Sequence, residues 1–230
     1  MKKILLILSL IALCSLNCIA QKGTNAYGLK LGPTLDWVGS ANAAGNNIGT
    51  RAGFNVGLVV DHYYTNHIAL SSGLNLNLMR MNYRFADHRR LPNFLQYADL
   101  PVNRNFKGSY LEVPLQVKVR IPVMDSWSAY AEVGLGLALN LRDTAKDSYE
   151  YYGLVYKDEN YTNVSDQYRL FQSRFSFGIG AEYKVNRNLG VFAQIVFNSC
   201  FSNMFNRAVQ IQTGSNLKTR FVGLEVGAIH

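Results

Sequence analysis

From Leu111 to Ile121 the chain alternates without a break. Leu111, Val113, Leu115, Val117, Val119 and Ile121 are apolar, and Glu112, Pro114, Gln116, Lys118 and Arg120 stand between them. A period of two belongs to a strand with one apolar and one polar face. The polar row carries full charges, so this strand separates two very different media. Its length matches the roughly 9–11 residues that a tilted strand needs to cross a bilayer.

The same rhythm recurs along the chain. Strands are expected over residues 27–37, 52–61, 67–83, 111–121, 127–141, 170–185, 190–201 and 217–229. Helical periodicity appears nowhere. The connections alternate in length: 62–66, 122–126 and 186–189 are short and carry turn residues, whereas 39–50, 84–108, 142–169 and 202–216 are long. Short turns at one end and long loops at the other are the layout of a transmembrane barrel. The fold class read from this is all-β: an eight-stranded antiparallel up-and-down transmembrane β-barrel.

Residue parity says which face points where. Gly28, Gly32, Gly57, Gly134, Gly136, Gly178, Gly180 and Gly227 share the parity of the polar rows. Glycine weakens a strand and needs a reason; a narrow interior that must admit large neighbours supplies one. The charges of that parity are Lys30, Lys118, Arg120, Arg174 and Lys184 against Asp36, Asp61, Glu112, Glu132, Glu182 and Glu225, a net of −1. A closed lumen demands such a balance, because an unpaired buried charge costs several kcal/mol. The expected lumen network is Lys30, Glu112, Lys118, Arg120, Glu132, Arg174, Glu182, Lys184 and Glu225. The rival is a soluble lipocalin-like barrel with its apolar row inward around a ligand, which leaves the glycines and the charge balance without cause.

The N-terminus fits export. Lys2 and Lys3 precede the apolar stretch 4–13, and Cys18-Ile19-Ala20 ends on a small residue, the pattern of a signal peptide over residues 1–20. The barrel is then residues 21–230, taking the general secretory route to the outer membrane of a Gram-negative envelope. Cys200 is the one cysteine left after cleavage, which excludes an intrachain disulfide.

The segment Tyr110-Leu111-Glu112-Val113-Pro114-Leu115-Gln116-Val117-Lys118 resembles a recurring signature of PorT-family outer-membrane barrels, small barrels of the OmpX/OmpA kind. Tyr27-Gly28-Leu29-Lys30-Leu31-Gly32 and Ala131-Glu132-Val133-Gly134-Leu135-Gly136 are similar to its other strands. The resemblance implies an eight-stranded outer-membrane barrel, and for some members a place in gliding and type IX secretion machinery. Where such barrels usually end on an aromatic, this chain ends Ala228-Ile229-His230.

Chemistry is sparse. Asp87-His88 is the best candidate for a rim dyad, and adjacent residues in a loop seldom form one. The scattered histidines offer no metal-ligand spacing. No enzyme activity and no cofactor are expected; a small outer-membrane enzyme and a narrow channel are the alternatives. Eight strands leave an interior just wide enough for side chains. The second long loop carries a net charge of +3 and the third, counted over 142–168, a net of −3 with a tyrosine cluster. Arg84, Arg89, Arg90, Arg104, Lys107, Tyr151 and Tyr152 form the expected loop contact surface, for lipopolysaccharide phosphates or for an envelope or secretion protein. No basic stripe is continuous, so nucleic acid is not an expected partner.

Overall fold

The computed structural model describes residues 24–40, 45–90, 97–186 and 188–230. The leader expected over 1–20 and the side chains of His88, Arg89 and Arg90 lie outside the described residues.

The elements are β1 (Thr24–Ser40), β2 (Gly45–Tyr63), β3 (Ile68–Arg90), β4 (Tyr97–Pro122), β5 (Trp127–Tyr151), β6 (Leu154–Lys157), β7 (Thr162–Asn163), a 3-10 turn (Ser165–Gln167), β8 (Phe171–Lys184), β9 (Gly190–Cys200), α1 (Arg207–Thr213) and β10 (Leu217–Ile229). Neighbouring strands pair antiparallel in the ring β1-β2-β3-β4-β5-β8-β9-β10, and β10 returns to β1 through pairs such as Gly28 with Ile229 and Ser40 with Leu217. Closure removes the unpaired edge that lipid cannot hydrate. β6 and β7 pair only with β5, above the ring.

The short turns are built from local side-chain bonds. The Thr65 hydroxyl accepts the amides of His67 and Ile68, at 3.2 and 3.0 Å. The Asn186 side chain accepts those of Asn188 and Leu189, at 2.9 and 2.8 Å. Both replace ladder bonds lost where the chain reverses.

The apolar rows face outward. Leu29 is 64% exposed and Leu115 57%, while Lys30 between β1's apolar residues is 7% exposed and Glu112 on β4 is 2%. This is the reverse of a lipocalin-like barrel. The lumen is narrow enough to need the glycines: a Cβ on Gly136 would fall 2.4 Å from the Glu112 carboxylate, and one on Gly180 would fall 2.6 Å from the Tyr130 ring.

The expected loops are largely strand. β3 and β4 stay paired from Ile68–Val119 up to Arg90–Tyr97, and β4 and β5 as far as Asn103–Ser148. The pattern changes at the height of the last lipid-facing residue. Leu74, Leu76 and Leu78 point outward on β3, but beyond them Met79, Met81, Tyr83 and Phe85 point inward, and Arg80, Asn82 and Arg84 take the outside. On β4 the switch falls between Tyr110 and Leu111. The alternation persists with its phase reversed: lipid outside and charge inside become water outside and an apolar core inside. A bulge between β4 and β5 at Ser109/Tyr110 leaves Leu141 and Arg142 both outward at the same level.

The barrel therefore carries a dome. Its core holds Met79, Met81, Tyr83, Phe85, Val102, Phe106 and Tyr110 from the extended wall, closed from above by Val164, Tyr168, Met204, Phe205 and Leu217. The end of the third long connection, residues 162–169, and the 202–216 connection, both expected as loop, fold inward as its lid: Tyr168 bridges to Phe205, and the Met204 amide donates to the Leu217 carbonyl at 2.7 Å. α1 is capped by the Asn206 side chain, which accepts the Val209 amide at 2.9 Å, and ends on Gly214 in the left-handed conformation.

Candidate functional site

Two places combine polar chemistry with defined geometry: the lumen and the outer surface of the dome. The lumen is an ordered lattice. Lys30 meets Glu225 at 3.0 Å, Lys118 meets Asp61 at 2.7 Å, and Arg174 meets Glu112 at 3.5 Å, all buried. Arg120 and Glu182 stand 3.6 Å apart near the turn end, where Arg120 is less buried. Glu132 is buried in the same small cavity as Lys30 and Lys118. Lys184 departs from expectation. It is exposed at the barrel mouth as the last residue of β8, and belongs to the rim rather than the lattice.

Sequence reasoning overlooked the amides that tie these pairs together. Glu112 accepts from Asn77 at 2.7 Å and from Asn198 at 3.2 Å; Glu225 accepts from Gln194 at 2.6 Å. Gln116 donates to Ser176 at 2.8 Å, and the Tyr130 hydroxyl donates to Gln194 at 2.9 Å. All share the inward parity that picked out the charges, so the signal that finds them was present. Lys118 also lies over the Tyr130 ring, 4.3 Å from its centre. Two cavities within the lattice hold about 10 Å³ each. That is room for about one water. The mouth at the turn end is wider, a recess of about 860 Å³ reached by Arg120, Glu182, Lys184 and His67.

Arg104 also departs from expectation. It is 2% exposed and points into the dome, because it lies on the inward row after the phase reversal. Its guanidinium forks onto Asp147, Nε to Oδ1 and Nη2 to Oδ2, both at 2.7 Å. Nη1 donates to Gln167 at 2.6 Å and to the Tyr168 hydroxyl at 3.1 Å, and Tyr168 bonds Tyr83. Burial works against the Arg104 charge, but Tyr168 and Asp147 hold its pKa well above the ordinary arginine value. The residue ties the wall of the dome to its lid.

The other expected contact residues divide. Arg84 is exposed on β3 and donates to Asn103 at 2.7 Å. Lys107 is half-buried on β4, its ammonium 3.9 Å from the centre of the Tyr161 ring. Tyr151 and Tyr152 lie at the tip of the β5–β6 hairpin, edge to face at 4.5 Å. Tyr152, at φ 49°, and Gly153, at φ 75°, form the two-residue turn, with Tyr151 paired to Leu154. Positive φ at both positions is the twist-matched hairpin geometry, which favours Asn-Gly. A tyrosine there is strained.

A closed ring with an apolar outer band, a charge-paired interior and short turns at one end defines an outer-membrane β-barrel. The family model described as outer membrane protein beta-barrel domain matches residues 19–206, and the chain belongs to that family. It is similar to solved barrels at low identity. Ail, the attachment invasion locus protein of Yersinia pestis, is 14% identical with a TM-score of 0.38, over 90% of this chain and 99% of that one. Neisserial surface protein A is 12% identical with a TM-score of 0.42, over 88% and 97%. The outer membrane protease OmpT from Escherichia coli is 11% identical with a TM-score of 0.44, over 92% and 97%. No curated protein matches the sequence.

Proposed function

We propose that this chain is a non-enzymatic, non-conducting scaffold of the outer membrane that presents the β5–β6 hairpin to a protein of the envelope or of the cell exterior. The hairpin tip carries the reading. Tyr152 is 88% exposed, and Leu154 and Val155 beside it are also largely exposed. An apolar and aromatic tip held out in water marks a contact site. The arm beneath it is rigid: Tyr149 and Tyr156 stack at 5.3 Å across it. β5 runs ten residues past Leu141, about 30 Å along the strand. The strained turn supports the same reading, since asparagine would satisfy the backbone better than tyrosine. A PorT-type accessory role in secretion rests on the Tyr110–Lys118 signature and remains part of this proposal.

A photo-crosslinking side chain at position 152 should capture one defined protein in intact cells. Untagged excess of the purified barrel should suppress that product, and a Tyr152→Asn/Leu154→Ser barrel should fail to suppress it while folding at least as stably. Equal suppression by both barrels would remove the hairpin from the reading.

A further inference from the structure

The outer wall of the dome has a second surface of different chemistry. Immediately above the lipid-facing row, β3, β4 and β5 turn a basic face outward. Arg80 is the register partner of Lys107, Asn105 that of Lys146, and Ser148 on the Arg84–Asn103–Ser148 row pairs with Lys157 of β6. Between them lies a depression of about 390 Å³, whose wall includes Asn82, Asn103, Asn105, Lys146, Lys157 and Tyr161. The Lys107 and Lys146 ammonium groups both lie against the Tyr161 ring, 3.9 and 5.0 Å from its centre, and the Lys146 ammonium also donates to the Glu159 carbonyl at 2.5 Å. The Tyr161 hydroxyl donates to Asn105 at 2.9 Å, which fixes the ring. Asp147, also in the wall, has its carboxylate engaged by the Arg104 fork. Two cations gathered around one ring repel each other, so an anion within reach of both lowers the energy of the site.

Height selects the anion. Arg80 is two residues above Leu78 and Arg84 six. At about 3.4 Å per residue and the usual strand tilt of about 40°, these lie roughly 5 and 15 Å above the hydrocarbon edge. That interval holds the headgroup layer of a bilayer leaflet and whatever sugars it carries. Below the depression the wall continues as Leu78, Leu111 and Leu139, a surface for acyl chains. Lysines and arginines suit phosphate, side-chain amides suit hydroxyls, and an aromatic ring suits the apolar face of a sugar.

We infer that this depression, together with Lys107 beside its Tyr161 wall, is a binding site for a phosphorylated glycolipid of the outer leaflet, its phosphate within reach of Lys107 and Lys146, its sugars on the asparagines and Tyr161, and its acyl chains along β3–β5. The inference rests on reading the dome as a contact element, but uses a different surface from the hairpin tip.

The test titrates the folded barrel in uncharged micelles with bisphosphorylated lipid A, with dephosphorylated lipid A, and with a soluble polyanion lacking acyl chains. The intact protein should bind bisphosphorylated lipid A at least tenfold more tightly than the dephosphorylated form, and added salt should erode that preference. A Lys107→Gln/Lys146→Gln variant should lose the preference while keeping the folded gel mobility. Tyr152→Asn should keep it, so failure of the hairpin reading is read separately. Equal affinity for both lipids, or a preference surviving in the double variant, overturns the site. Displacement of lipid A by the soluble polyanion at comparable concentration overturns the assignment to a membrane lipid.

Discussion

At the scale of single residues, Asp143 shows what the dome does to a charge. It stands on the inward row just above the lipid-facing band, fully buried, and bonds the Asn140 amide. Burial raises its carboxyl from 3.8 to about 7, against the opposing effects of the Asn140 hydrogen bond and of nearby Tyr110 and Arg174. The folded state therefore keeps a proton that the unfolded chain releases near 3.8. Stability from this group is complete below that value and falls as pH rises toward 7. Unfolding in micelles should show a midpoint that drops between pH 4.5 and 7.5, and Asp143→Asn should flatten that slope and be the more stable protein at the upper end. An equal slope in both proteins would mean that another group titrates.

At the scale of elements, the dome is a distinct unit built on strands shared with the barrel. Arg104 joins β4 to β5 through Asp147 and to the lid through Gln167 and Tyr168. Arg104→Met leaves a buried carboxylate without its forked partner, a loss of about 3–5 kcal/mol. Limited proteolysis of the folded variant should cut the 154–169 region at least tenfold faster while the lipid-embedded strands resist. Adding Asp147→Leu should recover much of the protection. The dome was only partly legible in the sequence. Met79, Met81, Tyr83 and Phe85 alternate as cleanly as Leu74, Leu76 and Leu78, but on the opposite parity. A reading that follows one parity sees a strand ending at Tyr83 and a loop beyond it. The change of medium moves apolar residues to the other face, while the backbone continues unchanged. Arg104 was misplaced for the same reason. The tilt of 162–169 and 202–216 into the dome had no local periodic signal, because its contacts join residues far apart in the chain.

At the scale of the whole molecule, the lumen was legible because a single medium governs it from Lys30 to Glu225. Parity alone separated inward from outward residues there, and it failed only at the mouth, where Lys184 escapes the wall. Within the lattice, each of the four acid–base pairs spans different strands. Two of its cavities hold about 10 Å³ each, and the proposed non-conducting role then predicts that the purified barrel in a planar bilayer shows no steady current of porin size. A stable open level of that size would overturn that part of the proposal.

The seam between β1 and β10 has a consequence in time. Lys30 and Glu225 are partners across 195 positions of sequence. Every other neighbouring pair of ring strands meets sooner, so this contact carries the largest entropic cost of closure. Until it forms, the first strand exposes a row of unsatisfied amides and carbonyls that invites pairing with the wrong chain. The molecule should therefore assemble slowly and nearly all at once, and its most vulnerable moment is the interval before its two ends meet.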